Sequence, residues 1–361
     1  MIKVDYIIVG QGLAGSVLAF LLMQKGQSVM IFDNYTEGSK KASSQIAAGV
    51  INPITGMRFV KTWRIDELLP VAYSTYKEIE TVLGIKLWHD RHFIRVLRHI
   101  EEENNWLLRQ NYADYASFCG QIPPSVSESL EAHFKPHYAY ATVNRGAQVN
   151  LPLLVSRFKT YFKDNACFTN GEIISDDLIV STTCVQYKNI EAQKIIFCEG
   201  AKGSTNPYFS YLPFNPDKGE LLLVRIPNLN WTNIYKNKMA IVPLHDTEGA
   251  TKDLYWVGAT NTWAFENDQP EERAKLLIIN ELKSNLNTDF EVVFHQAAIR
   301  PTVKDRRPFI GLHPKHPNIA IFNGFGTKGT SLVPFWANHF TDFLLQNTPL
   351  DKEVDICRFS G

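Results

Sequence analysis

Three glycines near the start of the chain have the spacing of a nucleotide-binding loop. Gly10, Gly12 and Gly15 form a Gly-x-Gly-x-x-Gly pattern after the apolar residues 6–9, and Asp33 follows eighteen residues after Gly15. In this pattern the first glycine allows a tight turn, the second lets a pyrophosphate approach the backbone, and the third lets a helix lie close on a strand. The free N–H groups at the helix N-terminus attract phosphate. The pattern therefore predicts a dinucleotide site in which Asp33 binds ribose hydroxyls.

The elements that position these residues are a predicted strand at 6–9, a helix at about 13–25 and a second strand at 28–32. Together they form a βαβ unit, which is better evidence for nucleotide binding than the glycine spacing alone. The carboxylate of Asp33 disfavours a 2′-phosphate, so FAD or NAD is expected rather than NADP. The motif alone does not separate FAD from NAD.

The composition is that of an ordinary globular protein of about two domains. The chain has 361 residues, 45% hydrophobic and 20% charged, and Lys+Arg equals Asp+Glu at 37 each. Such a balance gives no bulk attraction to nucleic acid or to an anionic membrane. The five cysteines are scattered without metal-like spacing, which predicts reduced thiols, no metal and a cytoplasmic location. The first residues do not resemble a signal peptide, and no membrane span is predicted.

A second glycine-rich turn lies near the other end of the chain. Residues 318–322 read as a buried strand, 324–329 as the turn, and 330–345 as a helix. Strands typical of a parallel sheet thus occur at both ends and in the middle of the chain, with β-rich segments between them. We therefore predict an α/β fold: a Rossmann-like nucleotide-binding domain, which the resemblance described next identifies as an FAD-binding domain, with an inserted mixed-sheet α+β substrate domain. The predicted nucleotide domain comprises 1–63, 150–210 and 300–361, and the substrate domain comprises 64–149 and 211–299.

Five segments, in order along the chain, resemble the D-amino-acid-oxidase-type flavoenzymes. This superfamily includes glycine oxidase, sarcosine oxidase and the oxidase half of a bifunctional tRNA wobble-uridine modification enzyme. The segments are the first glycine loop ending at Asp33, the small-residue run 43–50, the strand end 197–201, the Arg-Pro segment 299–311 and the loop 324–334. The resemblance implies FAD. It further implies non-covalent binding, since the Arg-Pro segment lacks the cysteine that carries the flavin in sarcosine oxidase.

The resemblance also implies which residues contact FAD. The second loop would face the pyrimidine end of the flavin, where a helix N-terminus stabilises negative charge on the reduced ring. Thr330 is expected to cap that helix. The predicted cofactor contacts are Gly10, Gly12, Leu13, Ala14, Gly15, Asp33, Asn34, Ser43, Ser44, Ala48, Gly49, Val50, Gly200, Gly324, Phe325, Gly326, Thr327, Lys328, Gly329, Thr330 and Ser331.

Arg300 is the candidate for substrate binding. By resemblance its guanidinium points over the flavin and holds the carboxylate of an amino acid. The alternative is an internal salt bridge, for which Asp305 is the nearest candidate in sequence. His245, beside the strand 240–244, is a second candidate to face the substrate, and alternation directs only one of Tyr255 and Trp256 inward.

The sequence departs from glycine oxidase at two points of the substrate pocket. Thr327, followed by Lys328, stands where glycine oxidase has a second arginine, and residues 240–244 (Ala-Ile-Val-Pro-Leu) lack its tyrosine and arginine. These departures argue against free glycine or a simple D-amino acid and leave a bulkier or differently charged amine open.

The expected reaction is oxidation of a C–N bond in an amine or amino acid, with hydride transfer to flavin N5. Oxygen or another acceptor would then reoxidise the flavin. Two alternatives remain: an oxidase acting on an aminomethyl-uridine in tRNA, or a non-catalytic flavin-binding protein. The neutral charge balance makes nucleic acid an unexpected partner.

Overall fold

The computed structural model describes residues 1–34, 42–244 and 252–359. The strands are β1 (Ile2–Val9), β2 (Val29–Asp33), β3 (Val50–Ile51), β4 (Ile54–Thr55), β5 (Val60–Lys61), β6 (Trp88–Leu97), β7 (Cys119–Gly120), β8 (Ala139–Val149), β9 (Phe168–Asn170), β10 (Ile179–Val180), β11 (Val185–Tyr187), β12 (Ile190–Phe197), β13 (Asp217–Arg225), β14 (Ile234–Lys236), β15 (Ala240–Pro243), β16 (Leu254–Gly258), β17 (Glu291–Arg300), β18 (Phe309–His313) and β19 (His316–Asn323). The helices are α1 (Leu13–Gln24), α2 (Ser43–Ile46), α3 (Ile65–Leu83), α4 (Ile100–Gln110), α5 (Pro124–His133), α6 (Leu151–Asp164), α7 (Glu272–Asn285) and α8 (Gly329–Gln346).

The first sheet brings together strands from both ends and from the middle of the sequence. Its main path is β10-β11-β12-β1-β2-β9, and β19 pairs in parallel with the last part of β12. Strand β1 lies between β12 and β2 and is parallel to both. Its residues 6–9 are buried, as expected for a strand covered on both faces. Helices α1, α3, α6 and α8 pack against one face, and the chain around 203–214 covers the other.

The second sheet is mixed and has the order β17-β13-β16-β15-β14-β6-β8-β3. Only β14 and β6 pair in parallel among the neighbours on this path. Helices α5 and α7 cover one face through a cluster that includes Leu130, Phe134 and Ile278. The other face continues into the core that α1 and α8 share with the first sheet. Because that core spans both sheets, the predicted domain boundaries stay a prediction.

The predicted βαβ unit and the last strand-turn-helix unit are present with shifts of a few residues at their ends. Strands β8 and β17 of the second sheet were missing from the sequence-based prediction, as was α5. Strand β8 contains a bulge at 144–146 that interrupts alternation, and β17 is an edge strand with few buried side chains. All five cysteines are free thiols. Among the described residues, none of the helices combines the length and apolar character needed to cross a bilayer.

Candidate active site

Two glycines of the first loop are required by the packing of the protein itself. Gly10 has φ +100°, and a Cβ on it would lie 2.6 Å from the carbonyl oxygen of Cys198. A Cβ on Gly15 would lie 1.9 Å from the carbonyl oxygen of Gly10. The turn therefore needs Gly10, and the close approach of α1 to β1 needs Gly15, which are the mechanical roles that the sequence pattern predicts.

Gly12 differs from the other two because an added Cβ would meet a single side-chain atom and no backbone atom within 4 Å. Its backbone is extended, and the nearest atom to an added Cβ is Oγ of Ser44, at 3.3 Å. Helix α1 begins at the next residue, Leu13, without a side-chain cap on its N–H groups. Uncapped N–H groups and the positive end of the α1 dipole thus lie beside the Ser44 hydroxyl, a set of donors that suits a pyrophosphate.

Asp33 ends β2 beside this loop. Its Oδ1 accepts a hydrogen bond of 3.1 Å from the N–H of Gln11. Among the described residues Oδ2 has no hydrogen-bond partner, so it is available to a ribose hydroxyl. Burial raises the pKa of Asp33, and the Gln11 hydrogen bond opposes part of this shift. Asn34, the next residue, is exposed.

The run 43–50 links the first loop to the second sheet. The carbonyl oxygen of Ile46 accepts a 2.9 Å hydrogen bond from Nε1 of Trp256, and that of Ala48 accepts one from Gln148. Gly49 has φ +67°, and a Cβ there would lie 1.9 Å from the carbonyl oxygen of Val149. Gly49 is therefore required by its contact with β8. Ser43 and Val50, at the two ends of the run, are partly exposed.

The second glycine loop joins the strand end at 197–201. The Asn323 side chain accepts a 2.8 Å hydrogen bond from the N–H of Gly324 and donates one of 2.9 Å to the carbonyl oxygen of Gly200. Gly324 and Gly326 have φ +81° and +54°. A Cβ on Gly329 would lie 3.6 Å from Leu13 Cδ2, so the N-termini of α8 and α1 meet at this point.

The prediction that Thr330 caps α8 is wrong. The helix begins at Gly329 with Lys328 as the cap residue, and Lys328 makes no side-chain capping hydrogen bond. Thr330 is buried inside the first turn, and its carbonyl oxygen accepts a hydrogen bond from the hydroxyl of Tyr76. The N–H groups at the start of α8 therefore remain open to a ligand. The other residues of this loop differ in exposure: Phe325 and Ser331 are buried, and Thr327 is exposed.

Arg300, at the end of β17, forms an ion pair with Asp217 on β13. Nη1 lies 2.6 Å from Oδ2 of Asp217 and 2.9 Å from Oδ1 of Asn261. Nη1 and Nη2 both lie 3.1 Å from the carbonyl oxygen of Thr260. The guanidinium lies over Gly219, where a Cβ would come within 2.0 Å of Nη2. Among the described residues, the Nε–H and one hydrogen of Nη2 have no partner, and this pair of donors fits a carboxylate.

The predicted alternative partner of Arg300 is engaged elsewhere. Asp305 forms an ion pair of 3.1 Å with Arg358, so it is a structural residue. The actual partner, Asp217, is the buried first residue of β13, and the three charged residues at 217, 218 and 220 were the available signal for it. Sequence reasoning missed this residue because nothing local pairs residue 217 with residue 300.

The other residues considered for substrate contact differ in where the structure places them. Trp256 faces the α2 side of the second sheet, whereas the Tyr255 hydroxyl accepts a hydrogen bond from the N–H of Trp231 on the opposite side. This confirms that alternation directs only one of the two inward. His245 lies outside the described residues. Lys328 is half-buried with Nζ 3.5 Å from Oγ1 of Thr62, and burial together with two nearby arginines lowers its pKa.

Comparison with known proteins agrees with this arrangement. The family model described as "DAO: FAD dependent oxidoreductase" matches residues 5–343. The chain is 23% identical to a glycine oxidase of Bacillus licheniformis over 369 residues, covering 96% of this chain and 94% of the relative. A glycine oxidase of Bacillus subtilis (strain 168) is 22% identical over 380 residues, with 97% and 94% covered.

Solved structures share the fold. Glycine oxidase from Geobacillus kaustophilus superposes with a TM-score of 0.80 at 20% identity, covering 99% of this chain and 98% of that one. Iminodiacetate oxidase from Chelativorans sp. BNC1 gives a TM-score of 0.76 at 18% identity, with 97% and 98% covered. The glycine loops, the mixed sheet and the match over nearly the whole length lead to one conclusion: this chain belongs to the DAO family of FAD-dependent oxidoreductases.

Proposed function

We propose that this protein oxidises the C–N bond of an amine or amino acid, using FAD held without a covalent bond. The observation that carries the proposal is the meeting of two helix N-termini, at Leu13 and Gly329, beside the chain that follows Arg300, where the carbonyl oxygen of Pro301 accepts a 3.1 Å hydrogen bond from the second glycine loop. Two such N-termini favour a ligand that has a pyrophosphate at one end and an electron-rich ring at the other. The glycine oxidases named above act on an amino acid, which supports the substrate class.

The residues that would hold the cofactor are those at the two loops. The N–H groups at 12–15 and the Ser44 hydroxyl would bind the pyrophosphate, and Asp33 would bind a ribose. The N–H groups at 326–331 would lie at the pyrimidine end of the flavin. When bound, FAD supplies the acceptor for a hydride that leaves the carbon next to the amine nitrogen.

Arg300 would position the substrate. Its free Nε–H and Nη2–H match the two oxygens of a carboxylate, and Asp217 with Thr260 fixes the plane of the guanidinium. Asp217 also neutralises the charge of Arg300, so the pair orients a carboxylate more than it attracts one. Positioning of this kind is the main protein contribution to a hydride transfer.

The chemistry balances without a strong base. Loss of a hydride from carbon and of a proton from nitrogen converts the amine into an imine, and water then hydrolyses the imine to a carbonyl compound and a free amine. The two electrons finally pass to oxygen or to another acceptor.

The test is an anaerobic screen of purified holoprotein with amines and amino acids, watching the flavin absorbance near its visible maximum. We expect bleaching by at least one amine or amino acid and release of FAD on denaturation. Recovery of NAD, or a protein that fails to bind added FAD, would contradict the cofactor. A yellow protein that no amine bleaches would favour the non-catalytic alternative, and bleaching by an aminomethyl-uridine in tRNA alone would favour the RNA-modifying one.

A further inference from the structure

A second positively charged region lies on the same face of the second sheet as Arg300. It lines a cavity of about 300 Å³, a size that suits a small ligand group. The walls come from the turn after β4, from β6 and α4, and from the end of β14. The residues that matter for the argument are Asn52, Met57, Arg95, Glu102, Lys236 and Asn237.

Arg95 and Lys236 are neighbours in this cavity. They are register partners on the parallel strands β6 and β14, so their side chains leave the sheet side by side. The Arg95 guanidinium stacks on the ring of Phe59, 4.2 Å from its centroid. The Lys236 ammonium donates a 2.8 Å hydrogen bond to the carbonyl oxygen of Lys238. Within residues 1–34, 42–244 and 252–359, no carboxylate forms an ion pair or hydrogen bond with either cation.

The acid that lines the same cavity is already bound to another residue. Glu102 accepts hydrogen bonds from the backbone N–H of Arg98, at 2.9 Å, and from its guanidinium. Arg98 therefore forms the ion pair with Glu102, and Glu102 and Glu281 act on Arg95 and Lys236 only as nearby charges, without an ion pair to either. Two adjacent, half-buried cations without a counter-ion are unfavourable, and an anion between them would relieve both the repulsion and the desolvation cost.

The lowered pKa of Lys236 is consistent with this repulsion and desolvation cost. Burial, with a further contribution from the charge of Arg95, lowers the pKa of Lys236 to about 8. Burial also lowers the pKa of Arg95. A bound anion would favour the charged form of Lys236 and raise its pKa again.

Hydrogen bonds and strand pairing link the walls of the cavity to the elements of the candidate active site. Asn52 follows directly on the run 43–50 and β3, and its carbonyl oxygen accepts a 2.8 Å hydrogen bond from the hydroxyl of Thr62. The same hydroxyl lies 3.5 Å from Nζ of Lys328, in the second glycine loop. On the sheet, Lys236 is the register partner of Ala240, and the register continues through Gly258 and Leu221 to the strand that carries Asp217.

We infer that the cavity is an anion subsite of the substrate pocket, in which Arg95 and Lys236 bind a carboxylate or phosphate group remote from the oxidised C–N bond. The inference rests on the proposed function and narrows its substrate to an amine with an anionic tail. Arg300 would then bind the group nearest the reacting carbon, and the cation pair would bind the distal anion.

The first test needs no turnover. Glutarate and inorganic phosphate are titrated separately into the FAD-loaded protein by isothermal calorimetry. We expect binding of at least one of them, with the affinity lowered about 10- to 100-fold in Lys236→Met, as expected for loss of one charged partner of an anion. Lys25→Met is the matched control, because it makes the same change at an exposed lysine at the end of α1, outside the cavity. We expect its effect to stay below about twofold.

The second test uses anaerobic flavin reduction by amino acids with neutral, carboxylate or phosphonate side chains. Lys236→Met should raise the concentration needed for half-maximal reduction by anionic side chains and leave neutral ones unchanged, with FAD content unaltered. Lys236→Arg should restore most of the loss. Arg95→Met is a second variant. If it is unstable because Arg95 packs on Phe59, the Lys236 variants by themselves still test the proposed anion subsite.

Each outcome of the two tests either supports the anion subsite or contradicts it. A carboxylate-only or a phosphate-only response identifies the anion. Equal binding of both probes to wild type and Lys236→Met, or no binding at millimolar concentration, overturns the subsite. Anion binding that depends on Lys236 in a protein that no amine bleaches would retain the subsite and reject the proposed oxidase function.

Discussion

The two cationic regions on the inner face of the second sheet differ in their counter-ions. Arg300 is bound to Asp217 and to the carbonyl oxygen of Thr260, whereas Arg95 and Lys236 have no acidic partner among the described residues. The Arg-Pro motif alone directs attention to Arg300. The comparison teaches that an arginine's capacity to attract an anion depends on what else it binds, and we expect the stronger attraction in the region without a sequence motif.

The largest effect is expected from a substitution that prevents FAD binding, because the proposed reaction at both regions requires FAD. Gly12→Val places a branched side chain against the Ser44 hydroxyl, beside the N–H groups that would hold the pyrophosphate. We expect FAD affinity to fall at least about 100-fold, because several backbone hydrogen bonds to phosphate are lost together. The measurement is FAD content after purification, followed by titration of FAD into the apoprotein. Thermal unfolding of wild-type and variant apoproteins is the control, and full flavin occupancy of a folded variant would contradict the position of the site.

Removing Arg300 should change both turnover and stability. Arg300→Ala leaves the buried carboxylate of Asp217 unpaired, which costs about 3–5 kcal/mol of unfolding free energy. Loss of the carboxylate contact should lower kcat/KM by about 30- to 1,000-fold. The double variant Arg300→Ala/Asp217→Ala should regain most of the stability and none of the turnover. Urea unfolding and anaerobic flavin reduction measure the two effects, and a double variant that recovers wild-type turnover would make Arg300 purely structural.

Anion binding at Arg95 and Lys236 should depend on pH in a way that anion binding at Arg300 does not. Lys236, with a pKa of about 8, is charged below that pH and loses its proton above it. Anion affinity should therefore fall about tenfold between pH 7 and pH 9, since the charged fraction falls by about that factor. Lys236→Arg keeps its charge and should abolish the change. Burial sets this pKa, with Arg95 lowering it further and Glu281 raising it, and Arg98, Glu102 and Lys238 are the other charged residues that line the cavity.

Glutarate titrations across this pH range, on wild type and Lys236→Arg, provide the measurement. A wild-type affinity that is flat from pH 7 to pH 9, or one that rises with pH, would exclude Lys236 as the anion ligand.

The smallest effect is expected from removing the counter-ion of Arg300. Asp217→Asn keeps a hydrogen-bonding group beside the guanidinium and removes its negative charge. Acetate, a monocarboxylate competitor, should then inhibit a few-fold more strongly, because Arg300 regains net attraction for anions. The change is measured as the inhibition constant of acetate, with Lys238→Met as a distant charge control. Weaker inhibition in Asp217→Asn would indicate that Asp217 acts mainly by orienting the guanidinium.

Much of the fold could be predicted because its signals are local. The Gly10–Gly15 spacing, the apolar run at 6–9 and the period of the helices lie within short windows, and the structure contains these elements with small end shifts. Strands β8 and β17 were missed for the converse reason. A bulge interrupts the alternation of β8, and β17 takes its partner from residues 217–225 rather than from its own pattern.

The candidate site likewise combines features that local sequence specifies with features that depend on long-range contacts. The sequence by itself determined the nucleotide loop, the position of Asp33 and the second glycine turn, because turn geometry and helix ends are specified by neighbouring residues. Only the tertiary structure decided that Arg300 pairs with Asp217, 83 residues away along the chain, and that Arg95 and Lys236 share one cavity. Ion pairing and burial depend on distances across the folded sheets, and those distances are set by strand order and register.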